Sequence, residues 1–293
     1  MIKLKGCYSA VITPFNKGKL DLSSFRKLLE FQTKSSITGI VAAGSTGEGA
    51  SLKDEEYYTL LEKAVEFAGD SKEIIAGFGS NCTEKTIGML KRVERTGVKA
   101  LLVIAPYYNK PTQAGLFKHF AQVAENTRLP VIVYNIPGRT GVNIAPSTIA
   151  DLRKKYSNIV AVKEASGSLD QVSEIINLTD EGFTVLSGDD SLTLPMMSVG
   201  ARGVISVASN IIPDEISSIC SSFLKADTEE AMSLHQKYFP FIKALFTETN
   251  PIPIKYVMSL NGFCSNELRL PLTEITKDGA EKVKKAMVKS GII

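Results

Sequence analysis

IVAVKEAS, residues 159–166, is the stretch on which the fold turns. Its opening run of Ile159, Val160, Ala161 and Val162 has no polar residue to face water, so it reads as a strand covered on both sides. It ends on Lys163, a charge placed where an apolar strand runs out. Working outward, seven more runs of the same kind appear: SAVITPF (9–15), GIVAAG (39–44), EIIAGF (73–78), ALLVIAP (100–106), PVIVYNIP (130–137), FTVLSG (183–188) and GVISVAS (203–209). Helical periodicity fills the gaps, as in DEEYYTLLEKAVEFAG (54–69) and in EKTIGMLKRVERTG (84–97), for which Thr83 is the predicted N-cap and Gly97 the stop. Eight strand–helix units in series predict a closed (β/α)8 barrel, since an open doubly wound sheet would carry a G-x-G-x-x-G after its first strand. Only helical pattern follows the eighth run. The expected organisation is a catalytic barrel over residues 1–226 and a C-terminal helical region over 227–293.

The rest of the composition narrows the function. The 293 residues carry a formal net charge of only +3, without a basic cluster, so neither nucleic acid nor an anionic membrane is an expected partner. The four cysteines form no C-x-x-C pair and the two histidines no metal-ligand spacing, so no metal is expected. MIKLKGCYSAVITPF has neither the apolar core nor the cleavage site of a signal peptide, which predicts a cytoplasmic location.

A barrel enzyme works at the C-terminal ends of its strands. Under strict two-residue alternation Ala161 and Lys163 share one face and Val160 and Val162 the other; with Ala161 pointing inward, Lys163 points into the barrel mouth. A lysine amine placed there is a candidate nucleophile that attacks a ketone to make a Schiff base. Tyr134, at the end of the neighbouring strand, is placed to shuttle the protons of that reaction. GSTGE, residues 44–48, combines two glycines with the hydroxyls of Ser45 and Thr46, a loop suited to a small carboxylate. Arg139, in IPGRTG, is a candidate grip for a second carboxylate. Tyr107 and Tyr108 are adjacent and do not readily enter one pocket together, which suggests that one crosses a subunit boundary.

Taken together, GSTGE (44–48), PYY (106–108), YNIPGRTG (134–141), VKEASG (162–167) and SGDD (187–190) resemble the pyruvate-dependent aldolase/N-acetylneuraminate lyase superfamily, over residue 5 or so to at least 272. Within it, YNIPGRTG and NPIPIK (250–255) are similar to the dihydrodipicolinate synthase branch. The chain departs from that branch at Ser45, where threonine is common; serine keeps the hydroxyl. The resemblance implies that Lys163 forms an imine with pyruvate, whose carboxylate sits on the Ser45–Thr46 loop. Tyr134 shuttles protons through Ser45 to Tyr108 of a neighbouring copy, Arg139 holds the carboxylate of aspartate semialdehyde, and Gly188 and Ile205 line the pyruvate site. No cofactor is implied. A homotetramer, a dimer of dimers, is. At the position of the family's feedback site for lysine, Asn81 and Tyr107 match the pattern, but Tyr57 replaces a frequent histidine and Lys85 a glutamate, which implies weak or absent inhibition by lysine. The alternatives are a sugar-acid aldolase of the same superfamily and a pyruvate-binding barrel without turnover.

Overall fold

The structure, a computed structural model, describes residue 2 and residues 4–293. Eight parallel strands close into a barrel: β1 (Gly6–Ala10), β2 (Gly39–Ala42), β3 (Glu73–Phe78), β4 (Ala100–Ile104), β5 (Val131–Asn135), β6 (Ile159–Glu164), β7 (Thr184–Ser187) and β8 (Gly203–Ser206). Each pairs with its neighbours in sequence, and β8 returns to β1. The helices that cover them are α1 (Leu22–Lys34), α2 (Asp54–Ala68), α3 (Thr83–Arg95), α4 (Gln113–Glu125), α5 (Pro146–Lys155), α6 (Leu169–Leu178), α7 (Thr193–Ser198) and α8 (Pro213–Leu224). Three more helices follow: α9 (Thr228–Ala244), packed on α8, then α10 (Ile252–Leu260) and α11 (Lys277–Lys289). This is the (β/α)8 barrel with C-terminal helices that the strand series predicted. No helix among the described residues is long and apolar enough to cross a membrane.

The continuous apolar runs have their reason in two separate cores. Outward residues such as Val133, Val162 and Val185 pack under the helices. Inward residues, among them Tyr8, Ile75, Ile132, Ala161, Leu186 and Ile205, fill the barrel itself. A strand that feeds both has no solvent face on which to alternate.

Three local expectations differ. The first strand starts at Gly6 and ends at Ala10, so SAVITPF mostly lies beyond it. The ladder gives out there: after a last bond from Val11 N–H to Val41 O of β2 at 3.1 Å, Ile12 N–H donates to Asn210 Oδ1 at 3.0 Å and the Thr13 hydroxyl to Gly47 O at 2.6 Å. Thr83 is the first residue of α3 rather than its cap. Its hydroxyl is engaged with His119 Nδ1 at 2.9 Å, and Cys82 flanks the helix instead. Finally, Val160 and Val162 do not share a face. The β5–β6 register shifts so that Val131 pairs with Ile159 and Ile132 with Ala161, leaving Val160 bulged, packed toward the inner core while Val162 faces the helices. Ala161 and Lys163 still point inward.

Candidate active site

The bulge in β6 brings its C-terminal half into register with β5, so that Tyr134 pairs with Lys163 and Asn135 with Glu164. Lys163 is 6% exposed and its Nζ lies over the Tyr134 ring, 4.4 Å from the centroid. An ammonium or iminium at that place faces the electron-rich side of the ring. Both side chains line a cavity of about 220 Å³ at the C-terminal ends of the strands, with Ser45, Thr46, Arg139 and Gly188. Lys163 is the one lysine in that lining among the described residues. Gly188, whose N–H donates to Glu164 O at 2.8 Å, leaves the lysine its room: a Cβ there would stand 2.7 Å from Ala165 Cβ and 3.1 Å from Lys163 Cε.

The 44–48 loop is held in an unusual backbone path. Ala43 and Glu48 both have left-handed φ, +56° and +52°, which costs on the order of 1 kcal/mol or more per residue unless the surroundings enforce it. They do. Gly77 on β3 lets the loop approach so closely that a Cβ there would lie 2.4 Å from Gly44 Cα. Glu48, fully buried, forms an ion pair with Lys255 of α10 at 2.5 Å, and its other oxygen accepts from Arg269 N–H at 3.0 Å. The consequence is a nest: the N–H groups of Ser45 and Thr46 donate to no protein acceptor among the described residues. The Thr46 hydroxyl accepts from Asn250 Nδ2 at 3.0 Å, and Asn250 O accepts from Arg139 Nη2 at 2.8 Å. Asn250 therefore ties the nest to the arginine.

The other predicted residues fall in four places. Ile205 is wholly buried in the inner core beneath the site; Val207, two residues on, reaches the cavity. Tyr57 and Tyr107 also line the cavity, and the Tyr57 hydroxyl donates to Gly77 O at 2.8 Å. Burial pushes the Tyr57 phenol well above its usual range. Asn81 accepts from the Asn109 amide at 2.8 Å through its backbone oxygen, and Lys85 is exposed on the first turn of α3. Tyr108 stands off the cavity, 87% exposed, with a φ of +74°.

Several site residues carried no role in the sequence reading. Asn250 and Lys255 lie in NPIPIK, where the motif was visible but the contact was not. Asp190, the last residue of SGDD, is buried beneath the rim, its carboxylate taken by the Ser206 hydroxyl and by Val207 N–H at 2.8 Å; burial raises its pKa and the Ser206 bond opposes that rise.

Comparison with known proteins places this geometry. The model of the Dihydrodipicolinate synthetase family matches residues 3–290. The chain is 47% identical to the 4-hydroxy-tetrahydrodipicolinate synthase of Endomicrobium trichonymphae over 98% of its length and 99% of that protein. To the protein of the same name from Methanocaldococcus jannaschii it is 45% identical, over 99% of both chains. The solved structure of the 4-hydroxy-tetrahydrodipicolinate synthase of Methylacidiphilum fumariolicum SolV superposes with a TM-score of 0.97 at 43% identity, covering 99% of this chain and 96% of that one. A buried lysine opposite a tyrosine, on this barrel and at this level of identity over the full length, leaves one assignment: the chain belongs to the dihydrodipicolinate synthetase family.

Proposed function

We propose that the protein condenses pyruvate with L-aspartate 4-semialdehyde to give 4-hydroxy-tetrahydrodipicolinate, in the diaminopimelate route to lysine, through a Schiff base on Lys163. The observation that carries this reading is the buried amine of Lys163 against Tyr134, in one cavity with the open N–H groups of the Ser45–Thr46 loop. The amine adds to the ketone carbon of pyruvate and water leaves, while the carboxylate rests on the nest. Loss of a methyl proton gives an enamine, the lysine nitrogen having served as electron sink. The enamine carbon attacks the aldehyde, and the substrate's own amino group then closes the ring on the imine carbon and frees Lys163. The chemistry needs no cofactor, because the lysine supplies the activation.

Tyr134 moves the protons of addition and dehydration, with Ser45 and a neighbouring copy's Tyr108 as the relay. Tyr134→Phe keeps the packing and removes the hydroxyl. Its kcat is expected to fall about 10²–10⁴-fold, the usual worth of a positioned acid–base group, with the fold intact by circular dichroism. Arg139, already aimed across the cavity by its bond to Asn250, holds the carboxylate of the semialdehyde. Arg139→Ala is expected to raise KM for the semialdehyde about 30-fold or more, the loss of charge-assisted hydrogen bonds, with KM for pyruvate little changed. A panel of sugar aldehydes tests the acceptor: efficient turnover of those and not of the semialdehyde would overturn the assignment.

Tyr108 is exposed in a single chain, as a side chain supplied to another copy would be, and a cytoplasmic homotetramer built as a dimer of dimers is the arrangement proposed. Lysine is expected to inhibit weakly or not at all, because Lys85 stands where the resemblance puts a glutamate of the feedback site, and its ammonium repels that of the ligand. Initial rates with millimolar lysine check this, and strong inhibition would contradict it.

A further inference from the structure

Lys163 and Tyr134 face each other on the inner side of the barrel; their chain neighbours, Glu164 and Asn135, face each other on the outer side. That second pair takes no part in the chemistry above, yet it is among the most heavily bonded in the molecule. Glu164 is 1% exposed, and its carboxylate accepts from Asn135 Nδ2 at 3.0 and 3.2 Å, from Ser166 N–H at 2.6 Å and from Gln171 Nε2 at 3.0 Å. No lysine, arginine or histidine pairs with it among the described residues. Its charge is met by N–H donors, each from a different part of the site's frame. Asn135, wholly buried, spends its remaining capacity on the segment after Arg139: Oδ1 accepts from Ile144 N–H at 3.0 Å, and Nδ2 also donates to Asn143 Oδ1 at 2.7 Å. Asn143 and Gln171 are themselves joined, at 2.7 and 3.2 Å.

The network has the form of a clamp rather than of packing. A buried carboxylate without a cation is costly, and apolar side chains would fill the same space between strand and helix more cheaply. A carboxylate does what they do not: it fixes the sliding register of two parallel strands at one residue pair, one position along from the reacting pair. A backbone shift of one ångström there displaces Nζ from the phenol by about as much, enough to cost on the order of 100-fold in a reaction that depends on a near-attack geometry. Through Asn135 the same clamp holds the return of the loop that carries Arg139.

We propose that Glu164 is a positioning residue for the Schiff-base reaction, acting through Asn135 to set the Lys163–Tyr134 geometry and through Asn143 and Ile144 to hold the Arg139 loop. This rests on the aldol reading above. The test compares wild type, Glu164→Gln and the swapped pair Asn135→Asp/Glu164→Gln by kcat and KM for both substrates, by the pH profile of kcat, and by the rate at which borohydride traps pyruvate on Lys163. In Glu164→Gln one face of the new amide presents N–H to donors. In the swap a carboxylate at 135 again meets an amide at 164. The expected result is a folded Glu164→Gln protein whose kcat and trapping rate fall about 30–100-fold, with a displaced pH profile and a KM for pyruvate within about threefold of wild type, and a swap that recovers at least tenfold. Turnover per folded Glu164→Gln within threefold of wild type, or a swap that restores melting temperature without restoring kcat, would overturn the proposal. Should Glu164→Gln not fold, Glu164→Asp, which keeps the charge and shortens the reach, is held to the same thresholds. If wild type itself traps no pyruvate, the aldol reading has failed, and the positioning role falls with it for a separately visible reason.

Discussion

Lys163→Ala is expected to lose turnover by at least about 10³-fold and to lose the borohydride-trapped pyruvate adduct completely, while the barrel stays folded. The prediction is strong because the cavity offers no substitute: Lys163 is the one lysine among its described lining residues. Tolerance of the fold follows from where the side chain lies. Nζ sits over a ring at the strand end and makes no ion pair among the described residues, so truncation removes an amine from an existing cavity rather than breaking the packed layers below. Lys163→Arg sharpens the test. It keeps a cation of similar length near Tyr134, but guanidinium stays protonated and is no nucleophile at neutral pH. Turnover retained in the arginine variant would show that charge, and not a Schiff base, drives the reaction. An adduct that survives in the alanine variant would place the nucleophile elsewhere.

The largest expected effect on stability lies at Lys255. Its ammonium and the Glu48 carboxylate are 0% and 1% exposed, and burial lowers the lysine's pKa against the opposing pull of the glutamate. Lys255→Met fills most of the volume but leaves Glu48 buried with only the Arg269 N–H to answer its charge. Breaking one partner of such a pair costs about 3–5 kcal/mol, which for a domain of this size lowers Tm by on the order of 10 °C. Adding Glu48→Gln is expected to recover much of that, since a neutral amide beside methionine strands no charge. Thermal unfolding of the single and double variants separates the two outcomes; a double variant no more stable than Lys255→Met would mean that the pair's charge is not what matters. Activity should fall in the single variant beyond the loss of folded protein, because Glu48 closes the strained loop that presents Ser45 and Thr46.

That ion pair also marks the boundary of what the sequence by itself determined. Strand existence and order, the closed parallel barrel, and the seats of Lys163, Tyr134 and the GSTGE loop at the strand ends were all legible, because each depends on local pattern: apolar runs without alternation, helix spacing between them, and a polar residue where a run stops. Side-chain direction was legible only in part. Ala161 and Lys163 point inward as alternation requires, but the bulge at Val160 breaks that alternation one residue earlier, and a bulge is set by how two strands register, not by either strand. The same holds for β1, whose apolar run continues past the ladder because the Asn210 side chain, far along the chain, meets Ile12 N–H and Ala10 O.

Contacts across long sequence separations were decided only by the tertiary structure. Asn250 meets Thr46 across 204 residues and Arg139 across 111, Lys255 meets Glu48 across 207, and the helical region after the barrel becomes part of the site's wall. Each of these pairs combines ordinary residue types, and nothing in an asparagine or a lysine read in its own helix says which buried acceptor it will meet. Their partners are chosen when the C-terminal helices pack over the β2 loop. Local pattern fixes which residues stand at strand ends; the path of the whole chain fixes what holds them there.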